Sequence, residues 1–206
     1  MKLKKKPKII LITIVLLIVL GIAGTVIYKN YSKKEVKEVK VLKTIDAYGY
    51  DLKDNKSKKY KEMFKELEEI LLKDAVNEED YVKKIAEMFI YDFYSLSDKT
   101  AKTDVGGVEF VHPDALENFL LNAEDTYYKY VESNLYGERN QALPLVDTVT
   151  IDSCLSTEYV YNDKKAEAYE IKASWTYTED AYSSYQKTAT LIFIKEDIKY
   201  YLVELQ

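Results

Sequence analysis

The stretch YEIKASWTYT, residues 169–178, decides how the chain folds. Tyr169, Ile171, Ala173, Trp175 and Tyr177 alternate with Glu170, Lys172, Ser174, Thr176 and Thr178. Successive side chains of a strand point to opposite faces, so a period of two predicts a half-buried strand. The pattern extends both ways. Upstream, from Leu145 onward, Val149, Ile151 and Leu155 alternate, and Tyr159 leads into the turn pair Asn162-Asp163. Downstream, a polar loop over residues 179–185 precedes strands over 187–195 and 198–205, joined by Glu196-Asp197. Four strands with short connections define an antiparallel meander.

Ahead of residue 145 the period is 3.6. Tyr60, Met63, Phe64, Leu67, Ile70 and Leu71 form one stripe of a helix over residues 57–73, with Asp54-Asn55 offering a turn and cap. A second helix opens at Asn77 and buries Tyr81, Val82, Ile85, Met88, Phe89 and Phe93. Glu78, Glu79 and Asp80 suit its N-terminal dipole; consecutive helical residues point different ways, so they are not metal ligands. His112-Pro113-Asp114 opens a third helix. It carries Leu116, Phe119, Leu120, Ala123, Tyr127, Tyr130, Val131 and Leu135 along one side, as far as Gly137.

Residues 95–112, SLSDKTAKTDVGGVEFVH, break the helical pattern. Turn formers fill 98–104, Gly106-Gly107 allow unusual φ angles, and 108–111 suit a short strand. The acids lack the ligand order and terminal Glu of a calcium loop. The glycine pair lacks phosphate-loop spacing before a helix. Three amphipathic helices followed by an antiparallel sheet give an α+β domain with the helices on one sheet face.

At the other end of the chain, residues 9–28 (IILITIVLLIVLGIAGTVIY) hold twenty residues without a charge. At about 1.5 Å per residue that is about 30 Å, the thickness of a bilayer's hydrocarbon core. Lys2, Lys4, Lys5, Lys6 and Lys8 precede it and Lys29, Lys33 and Lys34 follow, so the heavier basic flank places the N-terminus in the cytoplasm. A cleaved signal peptide competes with this reading, but the apolar run is long and Gly21-Ile22-Ala23-Gly24 is a poor cleavage site. The expected organisation is a basic tail over 1–8, a transmembrane helix over 9–28, a juxtamembrane linker over 29–46 and an extracellular domain over 47–206.

Residues 1–34 contain eight lysines and no acid; of the chain's 30 basic residues that leaves 22 against 35 acidic ones, a net of −13. Such a surface repels polyanions, which excludes nucleic acid as a partner. Cys154 is the lone cysteine, so an exported domain of this kind stands on its core without an internal disulfide.

No motif for metal, nucleotide or covalent catalysis is present, and no cofactor is expected. His112, the single histidine, reads as a helix cap. Arg139, the single arginine, could anchor an anion but suits a surface ion pair. If the sheet and third helix enclose a pocket, its lining would come from Tyr127, Tyr130, Tyr169, Trp175 and Tyr177; aromatics at this spacing also fill cores.

The order helix, helix, short strand, helix, then four strands, over residues 55–206, resembles the nuclear-transport-factor-2-like (cystatin-like) cone. That resemblance implies a curved sheet wrapped around a long third helix, with a pocket at the open end. The stretch DFYSLSDKTAKTDVGGVEFV, residues 92–111, is similar to a segment of uncharacterised membrane-anchored proteins of low-GC Gram-positive bacteria. This likeness implies a cell-envelope setting and no activity.

Function is carried by sites rather than folds. The sequence reading is a membrane-anchored extracellular binding domain without catalytic activity. It would engage an envelope or membrane protein, with a homo-oligomer also compatible. The alternative is an assembly subunit of a type IV secretion or conjugation apparatus, whose inner-membrane scaffold has a similar layout. A pocket enzyme of isomerase or dehydratase type is the third reading. It would need an inward acid or base, whereas Glu170 and Lys172 fall on the face away from the aromatic stripe.

Overall fold

A computed structural model describes residues 38–206, together with Gly21, Ile22 and Thr25. The expected span over 9–28 lies outside the described residues except for those three, which are helical. Among the described residues no helix is long and apolar enough to cross a membrane. The chain divides into two compact units, residues 1–38 and 39–206. The second is an α+β domain of three helices and a four-stranded antiparallel sheet, with a separate two-stranded ribbon.

The ribbon pairs β1 (Val41–Ile45) with β2 (Tyr50–Lys53) and contributes Ile45, Tyr50 and Leu52 to the core. It begins at Val41, inside the segment that the sequence reads as linker. Helix α1 (Lys58–Leu71) is capped by Ser57, whose Oγ accepts from the Tyr60 amide at 3.2 Å, rather than by Asp54-Asn55. Helix α2 (Glu78–Tyr94) is capped by Asn77, with Glu78, Glu79 and Asp80 in its first turn. From Met88 to Tyr94 every residue of α2 is buried. A helix buried on all sides sits at the centre of its domain.

Helix α3 (Pro113–Asp125) is shorter than its apolar stripe implies and buries only Ala123 fully. Thr126 adopts φ −118° and ψ −90°, and its hydroxyl turns back to the Asn122 carbonyl at 2.6 Å. The chain then drives Tyr128 inward, where its hydroxyl donates to the Phe93 carbonyl at 2.6 Å and accepts from the Gly106 amide at 3.1 Å. Burying Tyr128 with both partners outweighs continuing the helix. Residues 108–110, expected as strand, form a 3₁₀ turn; only Val111 pairs, through an isolated parallel bridge to Leu202.

The sheet runs β3 (Val146–Tyr161), β4 (Lys164–Tyr177), β5 (Thr188–Glu196), β6 (Lys199–Leu205), in that spatial order. Ile171, Ala173, Trp175, Leu191, Phe193 and Leu202 join the main core shared with the helices. The other face carries a second, smaller cluster: Ala168, Ile192 and Ile194, with Tyr159, Tyr161, Ala166 and Val203 packed on it. This cluster exists because the β3–β4 hairpin overruns β5, whose pairing with β4 stops at Ala168↔Ile194. The overhang turns at Asn162 and Asp163, both at positive φ, and bends over the sheet. Tyr159 donates to Glu204 of β6, two strands beyond its own neighbour, and Asn162 reaches Asp114 at 3.2 Å.

Candidate functional site

After the bridge at Val111, α3 runs beside the outer edge of the sheet and leaves a groove against β6. Two depressions of about 370 and 450 Å³ share Phe93, Thr126 and Leu205, so they form one continuous groove. Phe93, Phe119, Leu202 and Leu205 make an apolar floor. Ala115, Phe119 and Ala123 stand one turn apart on α3, and Asn118, Asn122 and Thr126 form a parallel polar row. Among the described residues Glu204 is the only charged one lining either depression.

Hydrogen bonds from the Tyr159 hydroxyl and the Gln206 amide hold Glu204 below the ordinary glutamate range. A carboxylate so held is a poor proton acceptor near neutral pH. Among the described residues no histidine, cysteine, lysine or arginine lines the groove. The arrangement therefore supplies apolar surface, amides and hydroxyls. Among the described residues no cluster of His, Cys, Asp or Glu could hold a metal ion.

Of the five aromatics read from the sequence, Tyr127 lines this groove. Its hydroxyl lies 3.0 Å from that of Tyr177, which donates to the Gln186 carbonyl at 2.7 Å. Burial, then the neighbouring Tyr177, pushes the Tyr127 phenol far up, so it stays protonated. Trp175 is buried beneath Tyr94, ring centroids 4.2 Å apart, and fills the core. Tyr169 lies elsewhere on the sheet, 5.6 Å from the Tyr200 ring. Tyr130 stands apart, 76% exposed, beside Lys129. The structure thus gathers Tyr127, Tyr177 and Trp175 around Tyr94 and separates Tyr169 and Tyr130 from them. Sequence reasoning missed Asn118, Asn122 and Thr126, although their i, i+4, i+8 spacing was available.

His112 caps α3: its Nδ1 accepts from the Asp114 amide at 3.1 Å, and Nε2 faces Glu196 at 3.1 Å. With Nδ1 accepting, the ring proton belongs on Nε2. Arg139 spends its guanidinium on the backbone carbonyls of Ser97, Lys99 and Glu132, so it ties loops together instead of awaiting an anion.

The stretch over residues 92–111 folds around a buried ion cluster. Asp92 accepts from Lys56 at 2.5 Å, from Lys99 at 2.7 Å and from the Gly107 amide at 2.7 Å. Gly106 passes so near that a Cβ there would lie 2.3 Å from the Asp92 carbonyl oxygen. The one carboxylate thus bridges two ammoniums and an amide, tying the segment ahead of α1 and the loop over residues 99–107 to α2. No protein-family model, no curated protein and no solved structure matches this chain.

Proposed function

We propose that this chain is a single-pass membrane protein of the cell envelope whose extracellular domain binds a protein partner through the α3–β6 groove, without catalysis. The observation that carries the binding reading is the groove itself: an apolar floor, an amide and hydroxyl rim, and no paired acid and base. The anchor rests on the twenty uncharged residues over 9–28 and their lysine flanks. A nuclear-transport-factor-2-like cone is supported by the element order, the parallel bridge at Val111 and the bending of the β3–β4 hairpin. Within that likeness the chain differs in two respects: the short strand is reduced to a 3₁₀ turn and one bridge, and α2 holds the centre while α3 is short.

The test is site-specific photocrosslinking in cells, with the probe at Asn118 or Asn122 and a control probe at Lys65 on the exposed face of α1. Adducts with an envelope protein from the groove positions alone support the reading. Equal capture from Lys65, or none from the groove, overturns it. Capture of secretion-channel subunits would assign the same groove to an assembly scaffold. Protease added to intact cells checks the topology, since a protected domain reverses the orientation.

A further inference from the structure

Strand β6 is the outer strand of its sheet, and its cover is partial. His112 donates to the Leu202 carbonyl at 2.9 Å, and the bridge there is isolated. Gln206 exchanges both backbone hydrogen bonds with Thr190, each at 2.9 Å. Antiparallel alternation then points the N–H and C=O of Leu205 the other way, toward the groove. Natural edges are blunted by lysine or proline. Here the groove-lining positions are Leu202, Val203, Glu204 and Leu205, none of them lysine or proline, which leave the edge able to pair beyond Leu202.

The opposite wall is suited to an inserted strand. Asn118, Asn122 and Thr126 stand exposed along α3, so their amides and hydroxyl can meet the outer edge of an added strand. The wall is also one-signed. Helix α3 contains Asp114, Glu117, Glu124 and Asp125 and no basic residue, and Glu204 lies across from it. Among the described residues the one ion pair made by these four acids is that of Glu124 with Lys102, at 3.8 Å. Complementarity of sign selects a cationic occupant.

Resting on the binding reading above, we propose that the groove recognises an extended, lysine- or arginine-bearing peptide by strand addition to β6. Backbone pairing at Leu205 supplies affinity, the apolar floor takes alternate side chains, and the acidic helix sets the sign of charge. The open edge over residues 203–206 spans about 13 Å, room for about four residues.

The probe is a fluorescein-labelled octapeptide, KVKTKVKT, titrated into the full-length chain in phosphatidylcholine nanodiscs. Expected are saturable binding and slowed amide exchange over residues 203–206. Methylating alternate backbone nitrogens, or replacing the lysines with glutamate, should each weaken binding by tenfold or more. Leu205→Pro removes one outward N–H at an edge position that tolerates proline, and should weaken binding roughly threefold to tenfold. Binding indifferent to N-methylation means charge attraction alone and overturns strand addition, as does protection only outside residues 203–206. A groove that captures a partner in cells yet fails with the octapeptide refutes this recognition mode and leaves the binding reading intact. Failure of both removes both.

Discussion

The Lys99 ammonium lies 2.7 Å from Asp92 Oδ1, and both side chains are about 5% exposed. Lys56 holds the other carboxylate oxygen. Removing one partner of a buried ion cluster strands the remaining charges away from water. Asp92→Asn should therefore cost about 3–5 kcal/mol, read from the urea unfolding midpoint. A loss below 1 kcal/mol would mean that water reaches Lys99 freely.

The same cluster sets an acid limit. Burial pushes the Asp92 carboxyl up, but the Lys99 and Lys56 ammoniums outweigh it and hold it well below the usual aspartate range. A group depressed in the folded state contributes stability above its unfolded pKa, about 3.9, and loses it as pH falls toward the folded value. The stability gap between the native chain and Asp92→Asn should thus be constant from pH 7 to about pH 5 and shrink below about pH 4. A gap that instead closes between pH 7 and 5 would contradict this assignment.

Gly107 sits at φ +73°, and an added Cβ would lie 2.5 Å from the Phe89 ring. Gly137 has nearly the same φ, +71°, with nothing within 4 Å. The pair separates backbone strain from overpacking. Gly137→Ala should cost about 1–2 kcal/mol for the left-handed conformation alone. Gly107→Ala should cost a further 1–3 kcal/mol, roughly, for displacing Phe89. Equal losses would show that the ring moves aside at little cost.

Cys154 faces the helices on β3, where burial, and then Glu79, push its thiol up to about 11. At pH 8 the thiolate fraction is on the order of one in a thousand, so alkylation by iodoacetamide should be slow. Unfolding in urea restores a thiol near 8.5 and should raise the rate on the order of a hundredfold. Similar rates in both conditions would place Cys154 in water.

How much of this could be read from the chain depends on distance along it. The strand at Tyr169, the stripe of α1 and the first half of α2 were legible because one face of each is buried and period alone reports that; the second half of α2, buried all round, carries no such period. The end of α3 was not. Tyr127, Tyr130, Val131 and Leu135 keep helical spacing, yet the helix stops for Tyr128, whose partners Phe93 and Gly106 lie far back in the sequence. Tyr127, read from the sequence as a pocket residue, does line the groove. The rest of the groove arises where α3 meets the outer strand, and no local pattern says which strand will be outermost. Likewise Ala168, Ile192 and Ile194 look like ordinary outward positions until the hairpin bends over them.

That overhang works as a vernier for the sheet. Strands β3 and β6 never pair, yet Tyr159 and Glu204 meet across two intervening strands. A slip by one residue at any of the three ladders would swing a side chain to the wrong face or move its partner out of reach. The contact is satisfied only when three independent alignments agree, so one hydroxyl reports the fidelity of the whole sheet.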